Sequence, residues 1–116
     1  MKISDLTLGA TIYKVAYGSI KKAGIRELSY KGFEFAWEGV GTSMYVDYKF
    51  YGITSESEFP VKLDNTYYLC YDRESAEEIA IKQLTHIIDS KLQAITTLHA
   101  EIADLTQNID NIKLST

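Results

Sequence analysis

Residues 81 to 112 place an apolar side chain at alternating steps of three and four. Written as heptads, position a is Ile81, Ile88, Ile95, Ile102 and Ile109, and position d is Leu84, Lys91, Leu98, Leu105 and Ile112. Nine of these ten seam positions are apolar. A repeat of 3.5 residues marks helices that supercoil about one another, and Ile at a with Leu at d favours two parallel strands. No other pattern in the chain restricts its fold as much. From 73 to 116 there is no Gly, Pro or aromatic residue, so nothing interrupts a helix. A continuous helix from about 75 to 113 is close to 60 Å long, whereas a compact 70-residue domain is only about 25 Å across. One such domain cannot cover the whole helix. A helical hairpin has no natural corner here, because helix–helix loops use about 2–8 residues of breaker or polar sequence. Self-association is therefore expected, carried by Ile88, Ile95, Leu98, Ile102, Leu105, Ile109 and Ile112.

The flanks of the seam differ along its length. Ala80, Ile87 and Ala94 fall at g and Leu92 at e, where charged residues are usual. The wider stripe at 80 to 94 suits packing on a neighbouring domain or in a larger bundle, and 95 to 112 suits a partner helix. Lys91 at d is either a register device or a solvent-facing defect. Asp72 or Ser75 can cap the helix. Ser75 with Glu78 has the spacing of a capping box, and Glu74, Glu77 and Glu78 place negative charge at the positive end of the helix dipole.

The first 72 residues use a different alphabet. They hold all nine Tyr, all four Phe and the one Trp. Alternation along ATIYKVAY (10–17) sets Tyr13, Val15 and Tyr17 against Ile12, Lys14 and Ala16, as in a strand. Gly18-Ser19 reads as a two-residue turn. A second strand spans roughly 20 to 30, with a bend expected at Gly24. FEFAW (33–37) sets Phe33, Phe35 and Trp37 against Glu34 and Ala36. MYVDYKFY (44–51) sets Met44, Val46, Tyr48 and Phe50 against Tyr45, Asp47, Lys49 and Tyr51. Residues 52 to 65 read as loop, and TYYLCY (66–71) as the last strand. The expectation is an α+β protein: an antiparallel β-meander or small open barrel of about five strands over 1–72, then one long coiled-coil helix over 73–116.

Net charge is −4, which speaks against a general nucleic-acid binder with its usual basic surplus. No apolar run approaches the ~20 residues of a membrane-spanning helix, and MKISDLTLGA lacks the apolar segment of a signal peptide. A lone Cys70 excludes a disulfide framework within one chain. A cytoplasmic place in a bacterial or phage-infected cell, or in a virion, is the expectation. No catalytic residue, cofactor site or metal site is assigned. His86 and His99 sit at f and e with no ligand neighbour at helical spacing. Cys70 reads as a buried strand thiol. Gly39-Val40-Gly41 lacks the strand–helix context of a phosphate loop.

The tyrosines stand out, with Lys14, Lys21, Lys22, Arg26, Lys31 and Lys49 among them. Aromatics with nearby cations serve a core, a protein interface or a base-stacking surface. Arg26, Tyr45, Tyr51 and Tyr67 are the candidate contact residues for a partner or ligand.

Two segments resemble small accessory proteins of bacteriophages and prophages, in which a β-rich module precedes a closing helix. The opening carries Ile3, Asp5, Leu6, Leu8, Gly9, Ile12 and Tyr13, and the helix start carries Arg73, Glu74, Ala76, Glu77 and Glu78. Ala10 stands where Asp is common in that group. The resemblance implies a phage-type accessory protein and no chemistry. The residues and the resemblance together suggest a non-enzymatic homo-oligomer, a dimer or higher, whose β-heads bind a protein partner. The alternative is an oligomeric sponge that sequesters a host signalling nucleotide in pockets between subunits.

Overall fold

The computed structural model describes residues 1–65 and 67–114. Six antiparallel strands form one sheet: β1 (Thr11–Ala16), β2 (Ser19–Ser29), β3 (Gly32–Trp37), β4 (Ser43–Asp47), β5 (Val61–Leu63) and β6 (Tyr67–Cys70). Their order is β4-β3-β2-β1-β6-β5, so β1 to β4 run as a meander and β6 returns beside β1. The two edge strands stay unpaired with each other, which leaves an open half-barrel. A short helix, α1 (Tyr48–Tyr51), follows β4, and the long helix α2 spans Arg73–Leu114. The chain is thus α+β, as its pattern implied. It divides into two compact units, the first Met1–Leu84 and the second beginning at Thr85. The first twelve residues of α2 therefore belong with the sheet, beyond the boundary at 72 expected from composition.

Strand alternation builds two cores on opposite faces of the sheet. Ile12, Ala23, Ile25, Phe33, Phe35, Val46, Val61, Leu63 and Leu69 are buried together inside the half-barrel. Ile3 and Leu6, from a 3₁₀ turn at Ile3–Asp5, are buried with them. That turn is tied down by Ile3 N–H donating to the Ser57 carbonyl at 2.9 Å and Ser4 N–H to Ser55 at 2.8 Å. On the other face, Val15 and Cys70 meet Ala76 and Ala80 of α2. Alanines at these helix positions let α2 come close to the β1–β6 surface. Asp72 starts the helix by accepting from Ser75 N–H at 2.7 Å, which holds its carboxyl below the usual carboxylate range. Asp72 is the cap, and Arg73–Glu77 add an i,i+4 pair at 3.0 Å.

Several boundaries differ from the sequence reading, each for a local reason. The β1–β2 turn is Tyr17-Gly18, one residue earlier than expected, with φ of 51° and 79°. Both angles are positive, as a two-residue turn of the primed type requires. The β2 irregularity lies between Ile25 and Glu27, so Arg26, not Gly24, is the extra residue. The strand expected over 44–51 ends at Asp47, whose side chain accepts from Phe50 N–H at 3.1 Å and starts α1. Gly52, at φ 67°, ends that single turn. Residues 61–63 form a sixth strand where loop was expected, with Val61 and Leu63 buried and Lys62 exposed. The last strand was expected from Thr66, which lies outside the described residues, as do Ser115 and Thr116 at the end of the expected helical domain.

Candidate functional site

The seam residues of α2 form the first surface. Ile88, Ile95, Leu98, Ile102, Leu105, Ile109 and Ile112 keep between 50% and 66% of their surface exposed in the single chain. Within one chain the stripe at 80 to 94 is buried at Ala80, half-buried at Ile87 and exposed at Ile81, Leu84 and Leu92. Lys91, His86 and His99 are exposed too.

The second surface surrounds α1. Tyr45, Asp47, Lys49, Phe50 and Tyr51 line an open cavity of about 640 Å³. Phe50 is 78% exposed and packs edge-on against the Tyr51 ring at 4.9 Å. The Asp47 cap forces this arrangement: by turning the chain into α1 it places Phe50 outside, where strand alternation would have buried it. Tyr45 is held by a hydrogen bond between its hydroxyl and Ser29 Oγ at 2.9 Å. Two expected contact residues, Tyr45 and Tyr51, are therefore brought together. Arg26 is exposed in the β2 bulge and does not line this cavity.

Tyr67 is the exception among the expected contact residues. It is only 7% exposed, in the main core. Its parity with Leu69 turns it into the half-barrel, where its hydroxyl donates to Met44 Sδ at 3.4 Å. Burial, followed by its hydrogen bond with Tyr51, pushes the phenol pKa well above its ordinary value.

A third cluster joins Tyr67 to residues not singled out from the sequence. Lys14 Nζ stands 4.4 Å from the Tyr67 ring centre and 5.0 Å from that of Trp37. Lys21 Nζ stands 5.9 Å from Trp37. Lys14 and Lys21 are direct cross-strand partners. Burial, and secondly the charge of Lys21, lower the Lys14 pKa. The signal was present in the sequence. Lys14 shares the parity of Ile12 and Ala16, and the Tyr17-Gly18 turn fixes Lys21 opposite it.

Cys70 is fully buried, and burial, with Asp72 second, pushes its thiol up to about 11. Among the described residues, no group of three or more His, Cys, Asp or Glu stands together as a metal site would require. Nor is any described helix long and apolar enough to cross a membrane. No family model, curated protein or solved structure matches the chain.

Proposed function

We propose that this chain is a non-enzymatic self-assembling binding module. Helix α2 joins copies through its seam, and the β-heads hold a protein partner on the Tyr45–Phe50–Tyr51 surface. The observation that carries the reading is the exposed row from Ile88 to Ile112. Seven large aliphatic side chains lie half or more in water, at a spacing that matches a second copy of the same helix. A row of this kind exceeds the scattered apolar residues normal on a monomer surface. The parallel pairing of identical helices sets Ile against Ile at a and, at d, Leu against Leu except at Lys91 and Ile112.

The head surface has the make-up of a protein contact, with an aromatic centre and charged residues beside it. Phe50 and Tyr45 supply the rigid apolar part, and Asp47 and Lys49 supply charges of both signs at its edge. Joining heads through the helix raises their effective concentration for a multivalent partner, so modest single-head affinity suffices. The phage or prophage setting rests on the opening motif and the helix-start motif. The reading places the protein in the cytoplasm of an infected or lysogenic cell, or in a virion. Light scattering of the purified chain at micromolar concentration tests the assembly. A dimer or higher species is expected, and a monomeric mass across the accessible concentration range would sink the reading.

A further inference from the structure

We infer that the mouth of the half-barrel is an anion site built on Lys14, Lys21 and Trp37, and that it takes a small phosphate ester carrying a flat ring. This goes beyond the assembly reading, because every residue involved belongs to one head.

Lys14 and Lys21 face each other directly across β1 and β2, and like charges placed so are destabilising. Among the described residues neither forms an ion pair, and the nearby Glu38 is engaged by Lys22 at 3.6 Å. Lys14 is also half-buried, and burial is the main cause of its lowered pKa. An apolar residue at position 14 would match Ile12 and Ala16 on the same face. The two ammonium groups are thus held side by side without a protein counter-charge, and a doubly charged phosphate supplies one. Lysines act as point charges toward phosphate and need no bidentate geometry.

A cavity of about 220 Å³ is lined by Lys14, Ala16, Ser19 and Lys21. A second, of about 450 Å³, is lined by Lys21, Lys22, Trp37, Glu38, Val40 and Thr42, with Glu38 paired to Lys22. Lys21 is common to both. The second alone falls in the range of small-molecule sites, ~300–1,000 Å³. The first cavity offers cations and a hydroxyl, and the second offers the Trp37 ring and the apolar Val40. A ligand with its phosphate in the first and a flat ring in the second uses both. Trp37 is itself fixed, edge-on to Phe35 at 5.1 Å.

Trp37 is the only Trp in the chain, so intrinsic tryptophan fluorescence reports on this place alone. The full chain is titrated with adenosine monophosphate, with adenosine, and with sodium chloride at matched ionic strength. The expected result is a saturable change with the monophosphate, at least about tenfold weaker with adenosine and absent with chloride. Pyrophosphate competes, because it fills the cationic part alone. Lys21→Gln, at an exposed position, and Lys14→Met, which removes a desolvated charge, each weaken the monophosphate at least about tenfold. Ile102→Asp leaves its affinity unchanged, since the site is complete within one head. Equal response to adenosine and its monophosphate, a response reproduced by chloride, retained affinity in both lysine variants, or no saturable change overturns the proposal. Loss of binding in Ile102→Asp overturns the one-head site without touching the assembly reading.

Discussion

Ile102→Asp is the sharpest perturbation of the assembly, because Ile102 sits at a central a position with 62% of its surface exposed in the single chain. Full burial of an Ile side chain stabilises by about 1.5–3 kcal/mol. With 62% still to be removed from water, each copy gains about 1–2 kcal/mol there on assembly. In a parallel pair a faces a, so one substitution removes this contribution twice, about 2–4 kcal/mol per dimer. It also sets two carboxylates against each other in a desolvated seam, an effect of at least about another 1–2 kcal/mol. The sum is about 3–6 kcal/mol, or roughly a hundredfold to ten-thousandfold in dissociation constant. Gln107→Glu at f changes the charge by the same amount, outside the seam, and is the matched control.

Size-exclusion chromatography with light scattering reads the outcome. Wild type and Gln107→Glu are expected to share one oligomeric mass, and Ile102→Asp is expected to run as monomer at the same concentration. Far-UV circular dichroism is expected to show loss of helix in Ile102→Asp alone, since an isolated helix of this kind is marginal in water. An unchanged mass for Ile102→Asp refutes the seam, and equal dissociation by Gln107→Glu refutes the assigned register.

Four further outcomes test the head. Gly32→Ala is expected to lower stability by at least about 2 kcal/mol, because a Cβ there runs into the backbone carbonyl of Val46. Gly24→Ala, with open space around it, is expected to stay within about 1 kcal/mol of wild type; equal urea midpoints for the two variants would refute the packing argument. Tyr17→Asn relieves a bulky residue at φ 51° and is expected to stabilise by about 1 kcal/mol, raising the melting temperature by roughly 4–8 °C; no rise refutes it. The Cys70 thiol contributes stability in full below its ordinary pKa of 9.0 and loses it as pH rises toward about 11. The stability advantage of wild type over Cys70→Ala should then shrink across that interval, and a constant difference in urea unfolding refutes it. Lys14 is the opposite case, since its folded pKa lies below 10.5, so wild type gains stability as pH rises through that lowered value toward 10.5. Lys14→Met should therefore be more stable than wild type at neutral pH, by a margin that narrows as pH rises, and a less stable variant at neutral pH refutes it.

The long helix was legible because its signal repeats over five heptads and nothing in 73–116 competes with it. Five strands were legible for the same kind of reason: a run of strand residues bounded by turn signals persists in each. β5 was not, because Val61-Lys62-Leu63 supplies only one full alternation, and a three-residue pattern does not stand out beside Pro60. α1 was hidden by a conflict between levels. MYVDYKFY alternates throughout, yet the Asp47 side chain captures Phe50 N–H, and that local bond redirects the chain. The sites were legible only in part. Tyr45 and Tyr51 could be picked as aromatic residues opposite an apolar row, but Tyr67 could not be placed without knowing that its face closes the half-barrel. The Lys14–Lys21 pair follows from turn register, which depends on which two residues make the turn. Reading Gly18-Ser19 instead of Tyr17-Gly18 moves every partner by a step.

That turn also decides where the seam can begin. Gly18 N–H donates to Gln83 Oε1 at 2.8 Å, and the Leu84 side chain lies where a Cβ on residue 18 would go. Leu84 is the first d position, so the first heptad is partly spent on its own head. Ala76 and Ala80, buried against Val15 and Cys70, complete that contact with the smallest side chains in α2 able to pack. The a positions carry large exposed aliphatics from Ile81 onward, while the buried alanines Ala76 and Ala80 lie beside the seam, at c and g. In the proposed assembly the buried alanines face the head and the exposed isoleucines and leucines face a second copy. Small side chains in that assembly dock on the sheet of their own head, and large ones meet a surface supplied by another copy. An assembly variant at Ile102 and a docking variant at Gly18 should consequently act on different equilibria. Gly18→Ala is a change in the head and Ile102→Asp a change in the oligomer, and their effects on head unfolding should not couple.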